Sequence, residues 1–260
     1  MLPIDAHCHL PALAGPPPRA VGGVVLAGVH PSQLPDQHAT VTRLHTHGLL
    51  AATTVGLHPW EALATPAAVE TALDAIQAAV PHPSIVGIGE TGLDRARGPL
   101  HLQVPAFEAQ LSIAQDALLP VVLHVVRAHH EAIAVLRRVG IPRAGIQVHG
   151  FSGSADLVRA WTALGAFLSV GGPATWRLSD KRRAGIRAIP DHLLLVETDA
   201  PDQPVASART AGLPGHPDHL GEVIAAIAHI RDQSPAHIAR CTVNNARRLF
   251  GLDMARPTLA

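Results

Sequence analysis

The first residues that could do chemistry lie close to the start of the chain, in the sequence Asp5-Ala6-His7-Cys8-His9. Side chains alternate along a β-strand, so Asp5, His7 and His9 are expected on one face and Cys8 on the other. Two imidazoles that converge from the end of a strand form a good pair of metal ligands. We therefore expect His7 and His9 to bind a metal ion and Cys8 to pack in the core.

Further residues of metal-ligand types stand at the ends of other apolar segments. They are Glu90, His124, His149 and Asp199. Taken singly, a histidine can be a hydrogen-bonded core residue, a glutamate beside glycines can cap a helix, and an aspartate before Ala-Pro can belong to a turn. Taken together, polar groups at the ends of several buried strands need partners, because burying each one unpaired is costly. Shared coordination of cations would supply those partners.

Short apolar segments rich in β-branched residues alternate along the chain with longer, Ala-rich amphipathic segments. The predicted strands are Leu2–His7, Gly23–Val29, Leu50–Leu57, Ile85–Glu90, Pro120–His124, Gly145–His149, Ala166–Val170 and Leu193–Thr198. The predicted helices are Ser32–His47, Pro66–Ala79, Val104–Ala117, His129–Val139, Ser154–Leu164, Ser179–Ala188, His219–Asp232 and Pro235–Phe250. Eight alternating units predict an α/β fold, a (β/α)8 TIM barrel, with a doubly wound open sheet as the alternative.

The composition is that of a large globular core. Hydrophobic residues make up 47% and charged residues 15% of the 260 residues, and α/β barrels of this length form one domain. We therefore expect residues 1–260 to form a single barrel domain. The segments Gly15–Pro18 and Pro201–Pro217 are predicted as loops, the second long enough to overhang the ends of the strands.

Charge and cysteine content exclude several classes of protein. Basic and acidic residues balance at 20 each, so the chain lacks the broad positive field that attracts duplex DNA, and any phosphate must be bound locally. Two cysteines, Cys8 and Cys241, are too few for a disulfide framework. No apolar run approaches the roughly 20 residues that span a bilayer, and no signal peptide pattern is present. We expect a cytoplasmic protein without a membrane or an obligate protein partner.

Seven short motifs follow one another along the chain. They are D-A-H-C-H-L (5–10), G-L-H-P (56–59), G-E-T-G-L-D (89–94), P-V-V-L-H (120–124), H-G-F-S-G-S (149–154), E-T-D-A-P (197–201) and N-A-R-R-L-F-G-L (245–252). In order and spacing, across essentially the whole chain, they resemble the TatD family of metal-dependent hydrolases, the TatD-like deoxyribonucleases and phosphodiesterases. The set is far more specific than any one of its motifs.

The resemblance implies two divalent metal ions per chain. The implied ligands are His7, His9 and Asp199 for one ion, His124 and His149 for the second, and Glu90 as the bridge between them. The residues themselves also favour a carboxylate bridge, because Lys181 is the sole lysine and lies outside the strands, so a carbamylated lysine is not available. Nitrogen and oxygen ligands admit Mg, Mn, Zn, Co or Ni.

The activity that the resemblance implies is hydrolysis of phosphodiester bonds at DNA ends or in short single strands. Asp199 would accept a proton from the attacking water, and Glu90 would complete the catalytic centre. Hydrolysis of another small phosphoester, an amide or a lactone at the same site is one alternative, and metal binding without catalysis is another.

Three residues are candidates for contact with the substrate: His58, Arg95 and Arg127. His58 could instead bond to its own loop, and the arginines could be solvated surface residues. Around them the chain departs from the family pattern. Arg127 is displaced by one position within H-V-V-R-A, Arg95 stands where relatives often have Tyr, and His216-Pro217 replaces Asn-Pro. The metal ligands match the family while the rim differs.

Overall fold

The computed structural model of the chain describes residues 2–10 and 16–252. Eight parallel strands form one sheet in which each strand pairs with the next along the chain. They are β1 (Ile4–Cys8), β2 (Gly23–Leu26), β3 (Leu50–Val55), β4 (Ile85–Asp94), β5 (Val121–Val126), β6 (Ile146–Val148), β7 (Phe167–Val170) and β8 (Leu194–Val196). Just beyond β8, Asp199 N donates to His7 O at 3.0 Å and closes the barrel onto β1. The predicted (β/α)8 barrel is confirmed.

In the described ranges, six helices lie between successive strands from β2 to β8 and three more follow β8. They are α1 (Leu34–Thr46), α2 (Pro66–Ala79), α3 (Leu100–Ala117), α4 (His129–Val139), α5 (Ala155–Thr162), α6 (Asp180–Ala188), α7 (Ala206–Thr210), α8 (Leu220–Arg231) and α9 (Pro235–Phe250). All eight predicted helices are present. The loop predicted over Pro201–Pro217 is wrong where α7 interrupts it, and Gly15 of the loop Gly15–Pro18 lies outside the described residues. Among these helices, none is both long and apolar enough to cross a membrane.

Within the described part of the chain, the core consists of two clusters of buried side chains. The larger one combines strand residues such as Leu123 with helix residues such as Leu111 of α3. The smaller one combines strand residues such as Val25 and Val122 with Phe250 at the end of α9. Val122 and Leu123 are neighbours on β5 and enter different clusters, as the alternation of side chains along a strand requires.

Two strands near the predicted ligands differ from expectation. β4 continues to Asp94, four residues beyond its predicted end, because Thr91–Asp94 stay paired with β5. In β1 the register relative to β2 shifts between Asp5 and Cys8. Strict alternation therefore fails there, and the Asp5 carboxylate accepts hydrogen bonds from Thr198 N at 3.0 Å and Thr198 Oγ1 at 2.5 Å. Cys8 packs in the larger core cluster, as predicted.

The packing of α3 gives a direct test of the core. Leu111 is fully buried, whereas Leu102 on the same helix is 48% exposed. Leu111→Ala should lower the free energy of unfolding by about 2–5 kcal/mol, because it removes buried methyl groups and leaves a cavity. Leu102→Ala, the matched control, should change it by less than about 0.5 kcal/mol. Urea unfolding of the metal-free variants measures both, and equal losses would contradict this packing.

Candidate metal centre

The six side chains predicted as metal ligands come from five strands or from residues just after them. They are His7 and His9 from β1, Glu90 from β4, His124 from β5, His149 from the end of β6 and Asp199 from the segment after β8. The structure brings all six together at the carboxyl ends of the strands. This is the face on which barrel enzymes carry their active sites.

Glu90 lies at the centre of this cluster and is 2% exposed. Its Oε1 atom is 2.7 Å from His149 Nε2 and 3.6 Å from His124 Nδ1. The same oxygen is 3.6 Å from His7 Nε2, and the second oxygen, Oε2, is 3.2 Å from His9 Nε2. One buried carboxylate thus faces four imidazoles. A carboxylate that bridges two cations needs such a position, because each cation would also be bound by some of these imidazoles.

Asp199 faces the two histidines of β1. Its Oδ1 atom is 3.5 Å from His7 Nε2 and 3.3 Å from His9 Nε2, and its Oδ2 atom accepts a hydrogen bond from Gln203 Nε2. Three sets of ligand atoms occur in this cluster, and within each set the atoms lie within 4.8 Å of one another: His7, His149 and Asp199; His7, His9 and Glu90; and His58, Glu90 and His124. The donors are therefore close enough to share more than one ion.

The ring of His7 provides the sharpest test of whether these residues fit a metal ion. Its Nε2 atom is buried and has no hydrogen-bond partner, although oxygens of Glu90 and Asp199 lie 3.6 and 3.5 Å away. Burial lowers the pKa of His7 to about 3, and the ring of His149 acts in the same direction, so the imidazole is neutral. An unpaired buried nitrogen is costly, and a cation between it and the carboxylates would satisfy all three groups.

The buried carboxylates also attract positive charge. Burial alone would raise the pKa of Glu90, but the charge of His149 holds it well below its usual range. Burial alone would lower the pKa of His149, but the charge of Glu90 raises it to about 9. Ionised carboxylates are therefore stable in this buried cluster only together with positive charge, whether protons or metal ions.

A cleft of about 720 Å³ opens over the cluster. The described residues that line it include three further carboxylates, Asp36, Glu61 and Asp202, but neither Lys nor Arg. Trp60 also lines the cleft and is 44% exposed. The lining therefore offers an aromatic surface and negatively charged side chains, with the Arg97 guanidinium 4.2 Å from the centroid of the Trp60 ring.

The three predicted substrate contacts occupy different places. His58 lines the cleft, with its ring centroid 4.3 Å from that of His124, and burial lowers its pKa to about 3. Arg95 forms an ion pair with Glu131, and Arg127 is exposed. Neither arginine is among the described residues that line the cleft. The structure thus brings His58 to the cluster and leaves both arginines on the surface.

Two buried carboxylates that sequence reasoning missed stand behind the histidines. Asp94 Oδ2 lies 3.3 Å from His124 Nε2. Glu197 accepts a hydrogen bond from Gly150 N at 2.5 Å and lies 3.9 Å from His149 Nδ1. A carboxylate bonded to a metal-binding histidine, as Asp94 is to His124, fixes the orientation of the ring, whereas His149 Nδ1 has no hydrogen-bond partner among the described residues. Both residues belong to motifs quoted above, each of which carries a second acidic residue close to the predicted ligand.

An eight-stranded α/β barrel with histidines and carboxylates at the carboxyl ends of its strands defines a barrel of the metal-dependent hydrolase type. Residues 4–251 match the family model described as TatD related DNase. The chain belongs to this family, which confirms the resemblance seen in its motifs.

Individual relatives cover nearly the whole chain. The uncharacterized metal-dependent hydrolase YjjV of Escherichia coli (strain K12) is 32% identical over 264 residues, which cover 96% of this chain and 98% of YjjV. The 3'-5' ssDNA/RNA exonuclease TatD of Klebsiella pneumoniae (strain 342) is 32% identical over 246 residues, which cover 91% and 90%. The crystal structure of Escherichia coli YjjV superposes with a TM-score of 0.82 at 30% identity and covers 96% and 98% of the two chains.

Gly92 tests how closely β4 and β5 approach beside His124. Its φ angle is +133°, and a Cβ atom added there would lie 2.2 Å from His124 O. Gly48 also has positive φ, +76°, but its Cβ would have no neighbour within 4 Å. Gly48→Ala should therefore cost only the backbone strain of about 1–2 kcal/mol. Gly92→Ala should cost clearly more, and equal losses in urea unfolding would contradict the close approach.

Proposed function

We propose that this chain, as one barrel domain over residues 1–260, is a divalent-metal-dependent phosphodiesterase that cleaves DNA ends or short single strands. The observation that carries the proposal is the buried, unpaired Nε2 atom of His7 between the carboxylates of Glu90 and Asp199. Two relatives support it by their names, one a metal-dependent hydrolase and the other a 3'-5' ssDNA/RNA exonuclease.

The donor set suits two ions. The proposed ligands are His7, His9 and Asp199 for one ion, His124 and His149 for the other, and Glu90 for both. Glu90 can serve both because one of its oxygens faces His149 while the other faces His9. The six donors are nitrogen and oxygen atoms, which bind Mg, Mn, Zn, Co or Ni, so availability and geometry select the metal.

Divalent ions held by these residues would supply Lewis-acid chemistry, which polarises a phosphoryl oxygen and lowers the pKa of a bound water molecule toward neutrality. The protein supplies the proton acceptor. Burial would raise the pKa of Asp199, but its hydrogen bond with His9 and the charge of His149 hold that pKa below its usual range. The carboxylate is therefore ionised at neutral pH. Gln203 binds its Oδ2 atom, which keeps Oδ1 directed toward His7 and His9.

The cleft favours a short substrate. Without Lys or Arg among its described lining residues, and with three carboxylates in its wall, it would repel the backbone of a long polyanion. The Arg97 guanidinium lies 4.2 Å from the centroid of the Trp60 ring, so the partly exposed indole and this cation together can contact a nucleotide. The neutral ring of His58 can donate a hydrogen bond to the substrate or accept one from it. These features support action on a terminal nucleotide rather than on a long duplex.

Asp199→Asn separates metal binding from proton transfer. The variant keeps one ligand oxygen but cannot accept a proton, so it should retain its fold and at least one metal ion. Its kcat on a single-stranded oligonucleotide should fall about 10²–10⁴-fold, the usual contribution of a positioned general base. Cys8→Ser is the matched control, because Cys8 packs in the core, and it should retain near-normal turnover.

Chelation tests the same proposal without mutation. Hydrolysis should stop when metal is removed and return when a divalent cation is added. Full activity after verified metal removal would refute the metal-dependent mechanism. An Asp199→Asn variant with normal kcat would instead refute only the assignment of the proton acceptor.

Asp94→Ala tests the support of His124. Without the carboxylate at His124 Nε2, the ring loses its fixed orientation, and the metal concentration for half-maximal activity should rise about 10–100-fold. Saturating metal should largely restore the rate. Asp36→Ala, which removes a carboxylate from the cleft wall, should leave that metal concentration unchanged. A loss of rate that no metal concentration rescues would show that Asp94 acts in another way.

A further inference from the structure

A second group of metal-type side chains lies at the other end of the barrel. Asp191 belongs to a turn of 3-10 helix that leads directly into β8, and His237 and Cys241 are one helical turn apart on α9. Ligand atoms of these three residues lie within 4.8 Å of one another. Asp191 precedes β8 whereas Asp199 follows it, so this group sits at the amino ends of the strands, away from the cleft.

One separation in this group, that between the nitrogen and the sulfur, matches a tetrahedral zinc site. Cys241 Sγ lies 3.5 Å from His237 Nε2, and that nitrogen lies 2.7 Å from Asp191 Oδ2. With Zn–N near 2.0 Å and Zn–S near 2.3 Å, tetrahedral N and S donors are about 3.5 Å apart. The nitrogen and sulfur are thus already at the required spacing. The carboxylate oxygen has to move outward by about 0.6 Å to reach the corresponding O-to-N distance of about 3.3 Å.

The surrounding residues hold Asp191 in place and leave one of its oxygens available. Arg231 donates to Asp191 Oδ1 and also to Ile189 O at 2.5 Å. Asn245, on α9, donates to Asp191 O at 2.7 Å. The backbone of Asp191 is therefore tied to the helix that carries His237 and Cys241, and only Oδ2 faces them.

We propose that Asp191, His237 and Cys241 bind one zinc-class divalent ion, separate from the catalytic ions. A thiolate donor selects zinc and similar soft or borderline metals over Mg. Each of the three side chains is partly exposed, so an ion can enter and water can complete its coordination. The thiolate and the carboxylate would supply two negative charges to the ion, and the guanidinium of Arg231, which is paired with Asp191 Oδ1, would leave the loaded site with one net positive charge. Such an ion joins α9 to the segment entering β8, and its effect is on the stability of the barrel rather than on catalysis.

Cobalt(II) distinguishes this site from the candidate metal centre without any measurement of activity. A thiolate bound to cobalt gives a charge-transfer absorption in the near ultraviolet, and nitrogen and oxygen donors do not. Titration of the metal-free full chain should produce this band, saturating at one thiolate-bound ion per chain. Cys241→Ser should abolish the band, and Cys8→Ser should keep it because Cys8 is buried in the core. His237→Gln should weaken cobalt binding to this site at least tenfold.

Zinc-dependent stability provides the second measurement. Saturating zinc should raise the Tm of the wild type more than that of Cys241→Ser, because an ion bound only to the folded state stabilises it. Absence of the thiolate band in wild-type protein at saturating cobalt would overturn the proposal, as would a band of full intensity in Cys241→Ser. Either result would leave the proposed nuclease function unaffected, since its donors are nitrogen and oxygen atoms.

Discussion

The burial of one carboxylate, that of Glu90, is the constraint on which the site depends. A carboxylate removed from water needs compensating charge and donors nearby, and the imidazoles that face it come from β1, β5 and β6. Those strands must therefore be in register before the charge of Glu90 is compensated. Closure of the barrel also helps to assemble the site. The hydrogen bond from Asp199 N to His7 O joins the first and last strands, and it places the Asp199 carboxylate beside the His7 ring. The fold and the cluster are formed by the same contacts.

Most of the fold could be predicted because each unit shows a local pattern. The bounds of α2 and α9 were predicted to the residue, since each begins with Pro after a capping hydroxyl, at Thr65 and Ser234. The helix α7 (Ala206–Thr210) could not be predicted, because five residues between proline-rich segments are too short to show a helical period. The extension of β4 to Asp94 and the register shift in β1 depend on pairing with neighbouring strands, which no local pattern contains.

The predicted ligands stood out because each is a polar residue that ends an apolar strand. The two carboxylates behind the histidines, Asp94 and Glu197, could not be recognised in this way, because their roles depend on contacts between strands. Asp94 reaches His124 on β5, and Glu197 lies beside His149 after β6. Arg95 shows the opposite outcome, a residue that was predicted at the site but does not reach it. Its guanidinium is paired with Glu131 on α4. Where a loop side chain points depends on the tertiary structure, and spacing along the chain does not determine it.

The strand β8 connects the two ends of the barrel. It has three residues, so its position depends on what binds the segments on either side. At its amino end, Asn245 donates to Leu194 O at 2.8 Å. At its carboxyl end, Thr198 bonds to the Asp5 carboxylate, one residue before Asp199. Because Asn245 of α9 binds one end and Asp5 of β1 binds the other, a change at the amino end should alter global stability while Asp5 and Thr198 keep Asp199 in place. This separation lets one end of a barrel strand serve stability and the other serve chemistry.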